Sequence, residues 1–204
     1  MRIGVLGGTF DPIHLGHIAA ARAALDCAQL DRVLFVPAGR PPHRREGTVA
    51  GTEQRLEMSR LAIAGESRFE VSDVETRRDG PSYTVDTLEE LRRSHAGDDL
   101  FLILGWDAAR LFATWRQPDQ VRRLATIVVV TRPGSRQPDA AALSSAGLDP
   151  STTILCARPT PDISASALRR AIANGDPIGE RVPRPVAEYI ANNGIYGDNR
   201  QVGC

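Results

Sequence analysis

Lysine is absent from this chain. All 25 of its cationic side chains are arginine, and 25 aspartates and glutamates balance them to a formal net charge of zero. No bulk field therefore directs the protein to nucleic acid or to a membrane surface, and any anion must be met locally by Arg, His or main-chain N–H groups. Cysteine is scarce. Cys27, Cys156 and Cys204 are far apart and odd in number, without a Cys-x-x-Cys spacing, which fits free thiols in a reducing cytoplasm. No apolar stretch approaches the roughly 20 residues that cross a bilayer, and the first residues read as a strand with no signal peptide before it. A soluble, cytoplasmic protein is expected. Neither Gly-x-x-x-x-Gly-Lys nor Gly-x-Gly-x-x-Gly occurs, so kinase-like and dinucleotide-dehydrogenase readings lose support. The order of residues also suggests no Ser-His-Asp set, no pair of catalytic acids and no activated cysteine.

What is present is a run of strand and helix signals. The 204 residues, 42% of them apolar, suffice for one α/β domain with a substantial core. Buried strands are expected at Ile3–Leu6, Arg32–Pro37, Phe69–Ser72, Leu100–Leu104 and Ala125–Thr131. Helix-forming stretches stand between them, which implies right-handed parallel crossovers. The fold class is α/β, a Rossmann-like doubly wound parallel sheet with helices on both faces and a C-terminal helical segment. One domain over 1–197 is expected, with 198–204 as a tail. Thr52–Ala64 reads as a scaffold helix, Ser82–Leu91 as the start of a helix with Ser, Thr and Asp available as caps, Pro138–Pro150 as a small, polar, mobile stretch without chemistry, and Val182–Tyr196 as packing.

The densest chemistry lies in Gly7-Gly8-Thr9-Phe10-Asp11-Pro12-Ile13-His14-Leu15-Gly16-His17. A strand ending in two glycines admits close backbone approach to a ligand, and the helix that follows opens with unpaired N–H groups. His14 and His17 share one face of its first turn, where their ring N–H groups suit phosphate oxygens. A structural metal pair is the competing reading. It would need further ligands, and His43 and His95 sit in a Pro/Arg-rich loop and at a helix end, with no Cys pair nearby. A basic loop, Ala38–Arg45, leaves the second strand on the ligand-binding side. Asp107 reads either as an N-cap for Ala108–Phe112 or as a ligand contact. Ser164 is a natural cap whose helix start exposes N–H groups, and Arg169 follows a little over one turn later.

The segment Gly8–His17 resembles the (T/H)xGH signature of the nucleotidyltransferase superfamily, and later segments are similar to the bacterial nicotinate-nucleotide adenylyltransferases. The resemblance spans about 1–197 of the sequence. It implies transfer of the adenylyl group of ATP to nicotinate mononucleotide, giving nicotinate adenine dinucleotide and pyrophosphate by direct in-line displacement. It implies His14, His17 and Arg169 as catalytic residues. ATP would be held by Gly7, Gly8, Thr9, Phe10, His14, His17, Gly105, Asp107, Ile163, Ser164 and Arg169. Nicotinate mononucleotide would be held by Arg44, Thr84, Trp115, Arg116 and Arg132. Trp115 would stack on the pyridine ring, and Mg2+ would arrive on the phosphates of ATP. Trp106 departs from the pattern, because many relatives carry a small residue there.

Alternatives are a preference for nicotinamide mononucleotide or another phosphate ester, and a non-catalytic nucleotide-binding module. A homo-oligomer is compatible with the sequence, and no nucleic-acid or membrane partner is expected.

Overall fold

Apolar runs rich in Val, Ile, Leu and Phe bury both faces of their strands, and this forces a sheet with helices on either side. The computed structural model describes residues 1–42, 47–131, 137–158 and 160–197. Its elements run β1 (Arg2–Gly8), α1 (Leu15–Cys27), β2 (Arg32–Pro37), α2 (Thr52–Ile63), β3 (Phe69–Val71) and α3 (Thr84–Ser94). There follow β4 (Asp99–Gly105), α4 (Trp106–Ala109), α5 (Pro118–Leu124), β5 (Thr126–Val130) and α6 (Ala140–Ser145). The last are β6 (Ile154–Cys156), α7 (Ala165–Ala173) and α8 (Arg184–Asn192).

The strands form one six-stranded sheet in the order β3-β2-β1-β4-β5-β6, with every neighbouring pair parallel. Chain direction across the sheet reverses between β1 and β4, and the crevice beyond the carboxyl ends of those two strands is where such a sheet takes a ligand.

Alternate strand residues feed two cores. Val33, Phe35, Phe101, Ile103, Val128 and Val130 pack beneath α1, α2, α7 and α8 with Ile18, Met58, Leu168 and Val186. Leu34, Val36, Leu100, Leu102, Leu104, Ile127 and Val129 pack on the other face with Leu88 of α3, Val121 of α5 and Leu143 of α6. The doubly wound architecture agrees with the sequence reading, and the C-terminal helices lie on the α1 side.

Three local expectations change. β6, the edge strand Ile154–Cys156, was not foreseen. The stretch from Pro138 to Pro150, expected to be mobile, contains α6 and buries Leu143, Ala146 and Leu148; apolar residues spaced among Ala and Ser hid that face. α3 begins at Thr84, two residues after the expected Ser82, for a reason found in the site below. Among the described residues no helix is long and apolar enough to cross a membrane.

Candidate active site

β1 runs out at Gly8, and the chain crosses to α1 through Thr9–His14. Phe10 takes a φ of 50° and buries its ring edge-on to His17, with centroids 5.0 Å apart. Gly8 is required by that ring, since a Cβ there would lie 2.6 Å from Phe10. His14 is the N-cap of α1 and does not sit inside the first turn. The two imidazoles nevertheless meet, stacked with centroids 3.7 Å apart. The main-chain N–H of His14 donates to Nδ1 of His17 at 3.2 Å, which leaves the ring proton of neutral His17 on Nε2. Gly16 keeps this corner open: a Cβ would come within 3.0 Å of His14 Nδ1 and 3.3 Å of the Pro161 carbonyl.

That last approach brings the start of α1 against the segment leading into α7. Ser164 caps α7 by accepting the Ala167 N–H at 3.3 Å, as its sequence position suggested. Ile163 contributes main chain here, its N–H bonded to the Pro161 carbonyl at 3.0 Å. Arg169, on the next turn, donates through Nη1 to the Asp11 carbonyl at 2.7 Å. Arg169 is thus seated on the same loop that ends at His14, and the two helix starts and the guanidinium share one region.

Beside this region opens a cavity of about 560 Å3, with Gly7, Gly8 and Thr9 on one wall and Thr84, Trp115 and Arg116 on another. Trp115 is half-buried, 5.4 Å from Phe112 between ring centroids, so it belongs to the core on one face and to the cavity on the other. Arg116 lies over the Tyr83 ring at 4.6 Å and is 4.0 Å from Asp86. The start of α3 has no side-chain cap, its N-cap being Tyr83, and Ser82 is engaged elsewhere. Its Oγ accepts the N–H groups of Gly39 at 2.9 Å and Arg40 at 3.1 Å. The hydroxyl expected as a cap is instead a clamp that fixes the loop after β2 against α3.

Gly39 is as tightly specified, since a Cβ would stand 2.2 Å from the Glu75 carbonyl. Glu75 is 8% exposed and lines the same cavity. Thr87 Oγ1 donates to its Oε1 at 2.7 Å. Burial pushes its carboxyl above the usual glutamate range, against the opposing hydrogen bonds from Thr87 and Ser82.

α2 is more than scaffold. Arg55 is 0% exposed, and it donates to the Thr9 carbonyl at 2.8 Å and the Gly39 carbonyl at 3.2 Å. One guanidinium therefore joins the loop after β1 to the loop after β2, where its fixed fork satisfies two carbonyls at once. The signal was present: Arg55 falls three and four residues before the buried Met58 and Ser59, on the stripe that faces the core.

At the end of β4, Gly105 is the N-cap of α4 and Asp107 sits within its first turn, exposed, so Asp107 is not the cap of a helix over 108–112. Trp106 finds room half-buried against the second core. A Cβ added at Gly7 or Gly105 would meet nothing within 4 Å, so the chain itself does not demand glycine on either side of the switch point. Phe10 can offer a nucleotide only main chain, its ring being 2% exposed. Arg44 and Arg132 lie outside the described residues.

A doubly wound sheet with paired imidazoles at its switch point defines a nucleotidyltransferase, and the model of the cytidylyltransferase-like family matches residues 5–171. Among curated relatives, a protein of Thermus thermophilus named as a probable nicotinate-nucleotide adenylyltransferase is 45% identical over 96% of this chain and 100% of its own length. One of the same name from Corynebacterium kroppenstedtii is 42% identical over 100% of this chain and 94% of its own. The chain belongs to the cytidylyltransferase-like family and, within it, to the nicotinate-nucleotide adenylyltransferases.

Solved structures agree on the fold. Plasmodium falciparum nicotinic acid mononucleotide adenylyltransferase complexed with NaAD superposes with a TM-score of 0.79 at 18% identity, over 96% of this chain and 97% of that one. The same enzyme complexed with APC gives 0.76 at 19% identity, over 96% of each chain.

Proposed function

We propose that this chain joins ATP to nicotinate mononucleotide, releasing pyrophosphate and forming nicotinate adenine dinucleotide. The observation that carries the proposal is the arrangement at the switch point. The glycine loop lines a cavity whose far wall presents Trp115 and the start of α3, and the chain runs on from that loop into the imidazole pair at the start of α1. The phosphate of a mononucleotide is already an anionic nucleophile, so its attack on the α-phosphorus of ATP needs no general base. The P–O bond to pyrophosphate breaks as the new one forms, and the work of the site is alignment and stabilisation of the developing charge.

In this reading His17 Nε2 carries the ring proton and donates to the α- and β-phosphate oxygens with His14 beside it. Arg169 and the α7 N-terminus meet the departing pyrophosphate. Gly7, Gly8 and Thr9 let the backbone approach the nucleotide, Gly105 and Asp107 serve its sugar, and Phe10 and Ile163 contribute main chain. Thr84, Trp115 and Arg116 take the pyridine end, where helix N–H groups favour a carboxylate over a carboxamide. Arg44 and Arg132 are proposed for the same substrate on sequence grounds. Mg2+ enters as part of the ATP substrate, held by phosphate oxygens and water. His14, His17 and Arg169 suit that division, since imidazole and guanidinium N–H groups donate to phosphate oxygens and are not the oxygen ligands that Mg2+ takes. Among the described residues no group of three or more His, Cys, Asp or Glu is poised for a metal.

The test is pyrophosphate release from ATP with nicotinate and nicotinamide mononucleotides side by side. The nicotinate substrate should be preferred by about tenfold or more in kcat/KM. Equal turnover would reassign the specificity, and no turnover with either would overturn the proposal.

A further inference from the structure

The last described turn of the chain returns to the loop that carries the histidines. Tyr196 follows α8 with a φ of 68°, in the left-handed region that a bulky side chain rarely adopts. Its ring is 6% exposed within the core, and its hydroxyl donates to Asp11 Oδ1 at 2.8 Å. Asp11 is itself 1% exposed. The same Oδ1 accepts the Ala50 N–H at 3.0 Å, and Oδ2 accepts the Val49 N–H at 3.0 Å. Arg169 reaches this residue too, but its short contact is with the Asp11 carbonyl at 2.7 Å, while the carboxylate stands 3.8 Å from Nη1.

These distances describe a carboxylate that pairs with Arg169 at 3.8 Å, beyond hydrogen-bond distance. Two main-chain N–H groups and a phenol direct its oxygens toward themselves. Removing the phenol would free Oδ1 to turn, and the Arg169 guanidinium is a strong donor within 4 Å of the same carboxylate. A hydrogen-bonded ion pair there would draw Arg169 away from an incoming phosphate, because charge-assisted pairs are shorter and stronger than the neutral bonds they replace. Burial, and then the Asp11 charge, hold the phenol far above its usual range, so it remains a donor.

We infer that Tyr196 is a positioning residue for adenylyl transfer: through Asp11 it keeps the Arg169 guanidinium available to the phosphates of ATP. The inference rests on the proposed function, in which Arg169 meets the leaving group, and it adds the C-terminal turn to the machinery.

The substitution Tyr196→Phe keeps the buried ring and deletes only the hydroxyl. In steady-state assays kcat/KM for ATP should fall about tenfold, the size of one lost hydrogen bond to a charged group. KM for nicotinate mononucleotide should stay within about twofold. In an Arg169→Ala background the same substitution should cost nothing further, because the residue it acts through is gone. A purely structural role would predict losses on both substrates and additivity in the double variant, and either result overturns the inference, as does full activity of Tyr196→Phe. Should Tyr196→Phe melt below the assay temperature, Asp11→Asn replaces it: a neutral amide cannot form an ion pair with Arg169, so kcat/KM for ATP should stay within about twofold of the parent, and a tenfold fall overturns the inference. An unsubstituted chain that releases no pyrophosphate would overturn the functional reading, and this inference with it.

Discussion

At the amino ends of the strands a groove of about 460 Å3 is lined by Arg2, Arg92, Arg122 and Arg123; at the carboxyl ends the larger cavity has Arg116 in its wall and Arg169 on the adjoining loop. Counting guanidinium groups would place the anion site in the groove. Its arginines, however, serve the protein. Arg2 donates to the Ala28 carbonyl at 2.9 Å and lies 4.4 Å over the Phe101 ring, and Arg92 donates to the Asp98 carbonyl at 2.8 Å. Arg122 donates to the Gly147 carbonyl at 2.5 Å and pairs with Asp119. Three of the four sit in the last turns of α3 and α5, where helix carbonyls favour cations and repel anions. At the other end of the sheet α1, α3 and α7 present their N-termini. Helix polarity, more than arginine number, tells the two ends apart.

That contrast can be broken or sharpened by substitution. The largest expected effect is His17→Ala, which removes a preorganised donor and should lower kcat by ~10²–10³-fold in pyrophosphate release. Thermal unfolding should stay within about 2–4 °C of the parent. Near-parental turnover would empty the carboxyl-end assignment of content.

Glu75→Gln is smaller and carries a sign. The folded carboxyl titrates above its ordinary value of 4.5, with burial the leading cause. Its contribution to stability is therefore full below that ordinary value and is lost as pH rises through the folded one. The amide keeps an acceptor for Thr87 without a buried charge, so the variant should melt about 2–4 °C higher than the parent at pH 8 and equally at pH 4. A melting difference that does not change with pH would contradict this.

The smallest effect is expected across the sheet. Arg123→Gln, which loses an exposed donor to Gln120, should leave turnover within about twofold and stability within ~0.5 kcal/mol in urea unfolding. A large loss of activity would restore the groove as a functional surface.

The sheet was legible because β1, β2, β4 and β5 are apolar runs long enough to stand out; of the two three-residue edge strands β3 was read and β6, which pairs only with β5, was not. The motif Gly8–His17 and the Ser164–Arg169 turn were legible as local patterns, a glycine-bearing loop and a capped helix. Less legible were side chains whose partners are far away in sequence. Ser82 looked like a cap because local spacing allowed it, yet its hydroxyl is taken by Gly39 and Arg40, 43 and 42 residues distant. Arg55 falls within the stretch read as a scaffold helix, and the approach of two loops, at the Thr9 and Gly39 carbonyls, makes its burial tolerable. Tyr196 looked like packing, and its ring is; the hydroxyl is the part that a reading of apolar periodicity cannot see.

The bond from Tyr196 to Asp11 spans 185 residues, which links the site to the order in which the polypeptide is synthesised. A nascent chain emerging from the ribosome presents its histidines early. The bond from Tyr196 to the Asp11 loop cannot form until α8 has cleared the exit tunnel. Fragments truncated before that turn should hold most of the sheet and still lack a finished centre.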